Sequence, residues 1–251
     1  MTPTRNLVAL TFAAALASAP ALAQETIATD NGGDITLTPV AHAAMAMTWN
    51  GVTIYNDPAP LGEPAATIAK FEPLPDPQIV LISDVHGDHL NVDVLTAVVG
   101  DATIIAPQAV ADMLPDALQA KTTVLANGAT MEVAGVSIEA VPMYNITADR
   151  TQFHEKGRGN GYVLTLGGKR VYIAGDTEDT PEMRALQAID VAFLPMNLPY
   201  TMSVEQAADA VKAFKPAIVY PYHYGESDVN QFKTLVGDAA EVRLLDWYPK
   251  T

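Results

Sequence analysis

A short apolar run that ends abruptly in a knot of acids and histidines constrains this chain most. Residues 78–83 carry Ile-Val-Leu-Ile at their heart, and Asp84-Val-His-Gly-Asp-His89 follows at once. A compact run of this kind, bounded by polar signals, reads as a buried strand. Asn91 then caps a predicted helix that runs to about residue 99. Strand, polar loop and helix in succession are how α/β proteins present ligands at strand ends. His86, Asp88 and His89 offer two imidazoles and a carboxylate at close spacing, a mix that suits zinc, or iron or manganese. The competing reading is ordinary turn chemistry, with Asp88 merely capping the helix.

Two further strand ends repeat the theme. Asp176 closes Val-Tyr-Ile-Ala-Gly-Asp-Thr, and His223 closes Ala-Ile-Val-Tyr-Pro-Tyr-His. Either one alone reads as a turn residue or a satisfied polar group. Together with the knot they supply oxygen and nitrogen ligands from three strand ends.

The remaining pattern falls into two similar halves. Strands are predicted over 34–40, 43–49 and 52–56, the last two joined by Asn50-Gly51, a strong hairpin signal. A proline-rich loop over 57–77 holds a short helix near 65–71. Beyond the knot come a strand at 103–106, a helix over 108–120 bent near Pro115, and strands at 122–125, 130–133 and 136–142. A second hairpin, 162–166 with 170–174, turns on Gly167-Gly168. Thr180-Pro181-Glu182 starts a helix. A strand at 191–195, helices over 203–214 and 229–236, and strands at 217–220 and 242–247 complete the chain. Strands first, then helix and strand in alternation, given twice, predict two sheets with helices on the outside.

The ordered set Asp84-x-His86-x-Asp88-His89, Gly175-Asp176-Thr177 and His223 resembles the metallo-β-lactamase superfamily. The resemblance implies an α/β fold, a four-layer αββα sandwich with a metal site at one edge between the sheets, and a single hydrolase domain over 24–251. His42 and Asn56-Asp57-Pro58 fit the opening of the lactonase-like branch, similar to L-ascorbate-6-phosphate lactonase. Asp84 stands where that family has its first histidine. Asn145, in Val141-Pro-Met-Tyr-Asn145, is read as replacing another. The implied ligands are Asp84, His86 and Asn145 for one site, and Asp88, His89, Asp176 and His223 for the other, with Asp176 bridging. The second set is intact, so one well-bound ion is expected. A second ion would bind weakly or prefer harder ligands. Zn2+ is expected, one or two per chain, with Fe or Mn open.

In the hydrolysis this implies, Asp88 ligates and orients the nucleophile, and His154 or Tyr200 stabilises the oxyanion or protonates the leaving group. His154 has two other readings, a substitute ligand for the weakened site and a surface-loop histidine. Tyr200 lines the pocket or belongs to a turn before the Ser203 cap. Lys156 and Arg158 are the nearby cations. His42 is structural or supports a ligand, and Asp57 orients a ligand histidine or starts a turn.

Composition narrows the partners. The 251 residues include no cysteine, which excludes disulfides, thiolate ligands and a cysteine nucleophile. A net charge of −15 argues against nucleic-acid binding, which needs Lys and Arg to neutralise phosphates. Residues 1–23 read as a signal peptide: Arg5, an apolar run, then Ala21-Leu22-Ala23. The run is too short to span a membrane and holds Pro20. The expected protein is periplasmic or secreted. It acts as a metal-dependent hydrolase on a small ester, lactone, amide or phosphoester. The alternative is a degenerate relative that binds metal or ligand without turnover.

Overall fold

The computed structural model describes residues 23–248. The predicted signal segment therefore lies, but for Ala23, outside the described residues. The first sheet contains β1 (Glu25–Ile27), β2 (Ile35–Ala41), β3 (Ala44–Trp49), β4 (Val52–Asn56), β5 (Ile79–Leu81), β6 (Thr103–Ala106) and β7 (Thr122–Val124). The second contains β8 (Thr130–Val133), β9 (Val136–Met143), β10 (Gly159–Leu166), β11 (Lys169–Ile173), β12 (Val191–Pro195), β13 (Ile218–Tyr222) and β14 (Glu241–Val242). In both sheets the spatial order follows the chain order. Each sheet opens with antiparallel neighbours and ends with parallel ones. The two halves thus share one topology.

Side-chain alternation along the strands builds the layers. Ile79 and Leu81 face the core between the sheets, while Val80 and Ile82 face outward. In the second sheet Ile173, Phe193, Tyr220 and Tyr222 face inward, and Tyr172, Ala192, Leu194 and Val219 outward. Both faces are covered, so these strands read as continuous apolar runs rather than alternating ones. Helices α1 (Pro64–Phe71) and α2 (Val92–Val98) cover the first sheet, together with the short α3 (Gln108–Ala111) and α4 (Asp116–Gln119). On the second sheet lie α5 (Pro181–Arg184), α6 (Val204–Phe214) and α7 (Val229–Val236). The result is the expected four-layer αββα sandwich.

Local chemistry explains the element ends. Asn91 accepts a hydrogen bond from Val94 N at 3.0 Å, and Ser203 and Gln206 form a reciprocal capping box on α6. Asn50-Gly51 and Gly167-Gly168 all have positive φ, as a two-residue turn that matches the strand twist requires. Three expectations need correction. The helix predicted over 108–120 is two single turns, because Pro115 removes a backbone donor and caps the second turn instead. β10 begins at Gly159, three residues before the strand start predicted at 162. The strand predicted over 242–247 ends at Val242, and the fully buried Trp247 plugs the inter-sheet core. β1 was not anticipated. Among the described residues, no helix is long and apolar enough to cross a membrane.

Candidate metal centre

The parallel strand ends converge at one edge of the sandwich. Asp57, just beyond β4, is fully buried with φ of 41°. It ties the first sheet's strand ends together: Ser83 N donates to Oδ1 and Ser83 Oγ to Oδ2, both at 2.7 Å. The same Oδ2 lies 2.9 Å from His89 Nδ1. Asp57 therefore holds the His89 ring so that Nε2 points into the centre. This is the orienting role among its two sequence readings.

The structure brings Asp88, His89, Asp176 and His223 into one group, with ligand atoms within 4.8 Å of one another. His223 Nε2 is 3.3 Å from both Asp88 Oδ2 and Asp176 Oδ1. His42 Nε2 is 3.1 Å from Asp88 Oδ2, and its Nδ1 is 2.8 Å from the Tyr248 hydroxyl. His42 thus supports Asp88 from behind the group and packs on the His223 ring at 3.6 Å.

A second group contains Asp84, His86 and His154. Asp84 Oδ2 is 2.8 Å from His86 Nδ1 and 3.8 Å from His154 Nε2. His154 Nε2 also lies 3.3 Å from Asp176 Oδ2, so Asp176 stands between the two groups. Asn145 Oδ1, the atom its expected ligand role would use, is buried without a hydrogen-bond partner, while the rest of the residue is committed to a loop. Its amide donates to the carbonyls of Arg150 at 3.0 Å and Tyr200 at 2.7 Å, and its backbone N–H to that of His154 at 2.9 Å. It braces the loop that carries His154. Tyr200 serves twice: its carbonyl lies 3.2 Å from His154 Nδ1, and its half-exposed ring lines the cavity. That cavity, about 230 Å³, is also lined by His86, Asp88, Phe153, His154, Asp176, Asn197 and His223.

The donor set fits a cation. His89 Nδ1 is engaged by Asp57, and His154 Nδ1 faces a carbonyl that can only accept. Each ring therefore turns Nε2 toward Asp176 Oδ2, at 3.2 and 3.3 Å. Neither nitrogen makes a hydrogen bond, nor does Asp176 Oδ1, and all three atoms are buried. Neutral imidazoles would place lone pairs against a carboxylate, which is repulsive unless a proton or a metal ion sits between them.

The charges agree. Burial pushes the Asp176 carboxyl up, but His223, His89 and His154 outweigh it and hold the carboxyl well below its usual range. Burial opposes ionisation of Asp88 too, and bonds from His223 and His42 overcome it. Burial works against the His89 proton, yet Asp176 and Asp57 hold its pKa well above the ordinary histidine value. Hydrogen bonding to Asp84 raises His86.

Two further residues complete the surroundings: Arg158, read from the sequence only as a nearby cation, and Glu178, which had no sequence signal. Arg158 forks onto Asp84, Nε to Oδ1 at 3.2 Å and Nη2 to Oδ2 at 3.1 Å. Glu178, fully buried, accepts from Ile146 N and Thr147 N at 2.6 Å and pairs with Arg150. Because Asp57 acts through His89, Asp57→Asn should weaken metal affinity by about 10- to 100-fold. Competition with a chromogenic chelator measures it.

A four-layer sandwich that gathers two neighbouring groups of acids and histidines at one edge between its sheets defines a class of α/β protein suited to holding a metal ion there. Residues 36–223 match the family described as the beta-lactamase superfamily domain, and the chain belongs to it. It is 37% identical over 215 residues to a metal-dependent hydrolase of Thermococcus onnurineus, covering 82% of this chain and 94% of the relative. It is 35% identical over 198 residues to one from Pyrococcus abyssi, covering 75% and 87%. A crystal structure of a proposed metal-dependent hydrolase from Parabacteroides distasonis superposes with a TM-score of 0.80 at 41% identity, covering 89% of this chain and 98% of that one.

Proposed function

We propose that this chain is a metal-dependent hydrolase of small carbonyl substrates, with a divalent ion held by Asp88, His89, Asp176 and His223. The observation that carries this reading is the confrontation of unpaired His89 Nε2 with Asp176 in a buried, charge-dense edge. The mixed imidazole and carboxylate set suits zinc, with iron or manganese also compatible. When bound, the ion supplies a Lewis acid and a water ionised near neutral pH.

The chain's own residues supply the rest. Asp88 is the most exposed carboxylate of its ligand group, and His42 and His223 restrain its Oδ2. Its other oxygen is free to orient the attacking water. Tyr200 offers a hydroxyl donor at the cavity mouth for the leaving group. Phe153 meets the Tyr200 ring edge-on at 5.1 Å and gives the mouth an apolar wall.

Charge separates the substrate classes. Asp57, Asp84, Asp88 and Asp176 all crowd the site. The nearby cations are engaged: Lys156 with Glu182 at 2.7 Å and with the Tyr144 hydroxyl at 3.1 Å, Arg158 with Asp84. A neutral ester, lactone or amide suits this field better than a phosphoester. The 1–23 leader, with Arg5 and Ala21-Leu22-Ala23, supports a periplasmic or secreted protein with one hydrolase domain over 24–251.

The test is metal content by plasma mass spectrometry on protein purified without chelator, followed by a screen of esters, lactones, amides and phosphoesters. Bound metal with turnover of carbonyl substrates is expected. Metal without turnover of any class would leave a binding protein. A pH series adds an independent check. In chelated protein His89 and His86 carry raised pKa values, so their stabilising contribution is full below about pH 6.5 and fades as pH rises through the folded values. Metal binding must displace the His89 proton. The melting temperature of the chelated protein should therefore fall above pH 6.5, while the increase produced by added metal grows.

A further inference from the structure

The second ligand group carries its own cation. Arg158 covers both oxygens of Asp84, and its Nη2 also lies 3.4 Å from His86 Nε2 and bonds the Phe153 carbonyl. His86 Nδ1 is already committed to Asp84 at 2.8 Å. Both ring nitrogens of His86 and both oxygens of Asp84 are thus engaged without a metal ion. A guanidinium cannot surrender its charge by losing a proton, and its planar fork matches a carboxylate on both oxygens.

The backbone fixes Arg158 in this place. Asn160 N donates to Ser83 O at 2.9 Å, which docks the start of β10 beside the residue preceding Asp84. Gly159 permits that contact: a Cβ there would stand 3.0 Å from Ser83 O and 2.1 Å from Met143 Cε. The side chain just before Gly159 therefore emerges against Asp84. Its exposure is 22%, and Asp84 itself is fully buried. Asp84 is a buried negative charge at this edge, and Arg158 neutralises it.

We propose that Arg158 stands in for a second metal ion and makes this a mononuclear centre. Asp84, His86 and His154 form a second ligand group by position, but the guanidinium holds the oxygen on which they converge. This rests on the reading of Asp88, His89, Asp176 and His223 as the primary site, and deepens it.

The decisive measurement is Co2+ and Zn2+ stoichiometry, by titration and by plasma mass spectrometry after buffer exchange. Wild type, Arg158→Met, Arg158→Gln and the double variant Asp84→Asn/Arg158→Met are compared. Wild type should hold about one ion per chain, and the two single variants about two, because each frees ligands that need only be deprotonated. The double variant should return to about one ion, since it lacks the freed carboxylate. Circular dichroism in chelator identifies folded forms. Two tightly held ions in wild type would overturn the proposal even if every variant failed to fold. One ion in wild type and still one in the folded single variants would overturn it while leaving the primary site intact. No ion in any form would remove the metal-dependent reading along with it.

Discussion

Asp176→Asn is expected to remove metal and hydrolysis together, yet leave the chelated protein folded. The substitution keeps the shape but deletes the carboxylate that stands between the two ligand groups. Activity should fall by roughly a thousandfold or more, since generating hydroxide at neutral pH depends on the bound ion. Stability separates this from simple misfolding. In wild type, metal at about a thousand times its dissociation constant adds about 4 kcal/mol. For a chain of this size that is roughly 10 °C in melting temperature. The variant should lose this metal-dependent increment. Without metal, its amide can donate to His89 Nε2 once that nitrogen gives up its proton, so the buried orphan in wild type gains a partner. In chelator the variant should therefore melt below wild type at pH values where wild-type His89 keeps its proton, and approach wild type as pH rises and that ion pair is lost. A variant that still binds metal tightly would sink the assignment of Asp176 as a ligand of the primary site.

Much of this candidate site was legible because its acids and histidines sit at the ends of strands buried on both faces. Val-Tyr-Ile-Ala-Gly-Asp-Thr reads as a buried strand that ends in a carboxylate, and β11 with Asp176 follows it closely. The fold was legible for the same reason, and both glycine-containing hairpins turn where their sequences indicate. Failures occurred where a distant contact overrides local pattern. Residues 242–247 look like a strand, but burying Trp247 between the sheets outweighs extending the ladder. Asn145 lies at a strand end as expected. Nothing local could reveal that its amide nitrogen would bond the carbonyls of Arg150 and Tyr200. His154 sits among glycines and charges, which is surface-loop composition, yet it is almost completely buried. Its place depends on bonds that join segments far apart in the chain, and no spacing rule encodes those.

The strongest such bond predicts the largest loss of stability. Glu178 is fully buried, two residues after Asp176, and ties down the loop that carries Asn145 and His154. Its carboxylate accepts the N–H groups of Ile146 and Thr147 at 2.6 Å and the Thr147 hydroxyl at 2.8 Å, and it pairs with Arg150. Arg150, 15% exposed, passes the connection to Thr201 O at 2.9 Å, next to Tyr200. Glu178→Ala leaves two amides without their acceptor and a largely buried guanidinium without its counter-charge. Breaking a buried pair from one side costs about 3–5 kcal/mol, which for this chain length lowers the melting temperature by roughly 10 °C. Glu178→Gln should fall between wild type and Glu178→Ala, because one acceptor oxygen survives. Glu178→Ala with Arg150→Met should recover part of the loss, since much of the cost is the unpaired charge. None of these changes touches Asp88, His89, Asp176 or His223 directly, so metal content should stay near the wild-type value while hydrolysis declines through the loosened His154 and Tyr200. Thermal melts and metal analysis of the three variants measure both effects. An unchanged melting temperature in Glu178→Ala would mean that the loop is held by Asn145 alone.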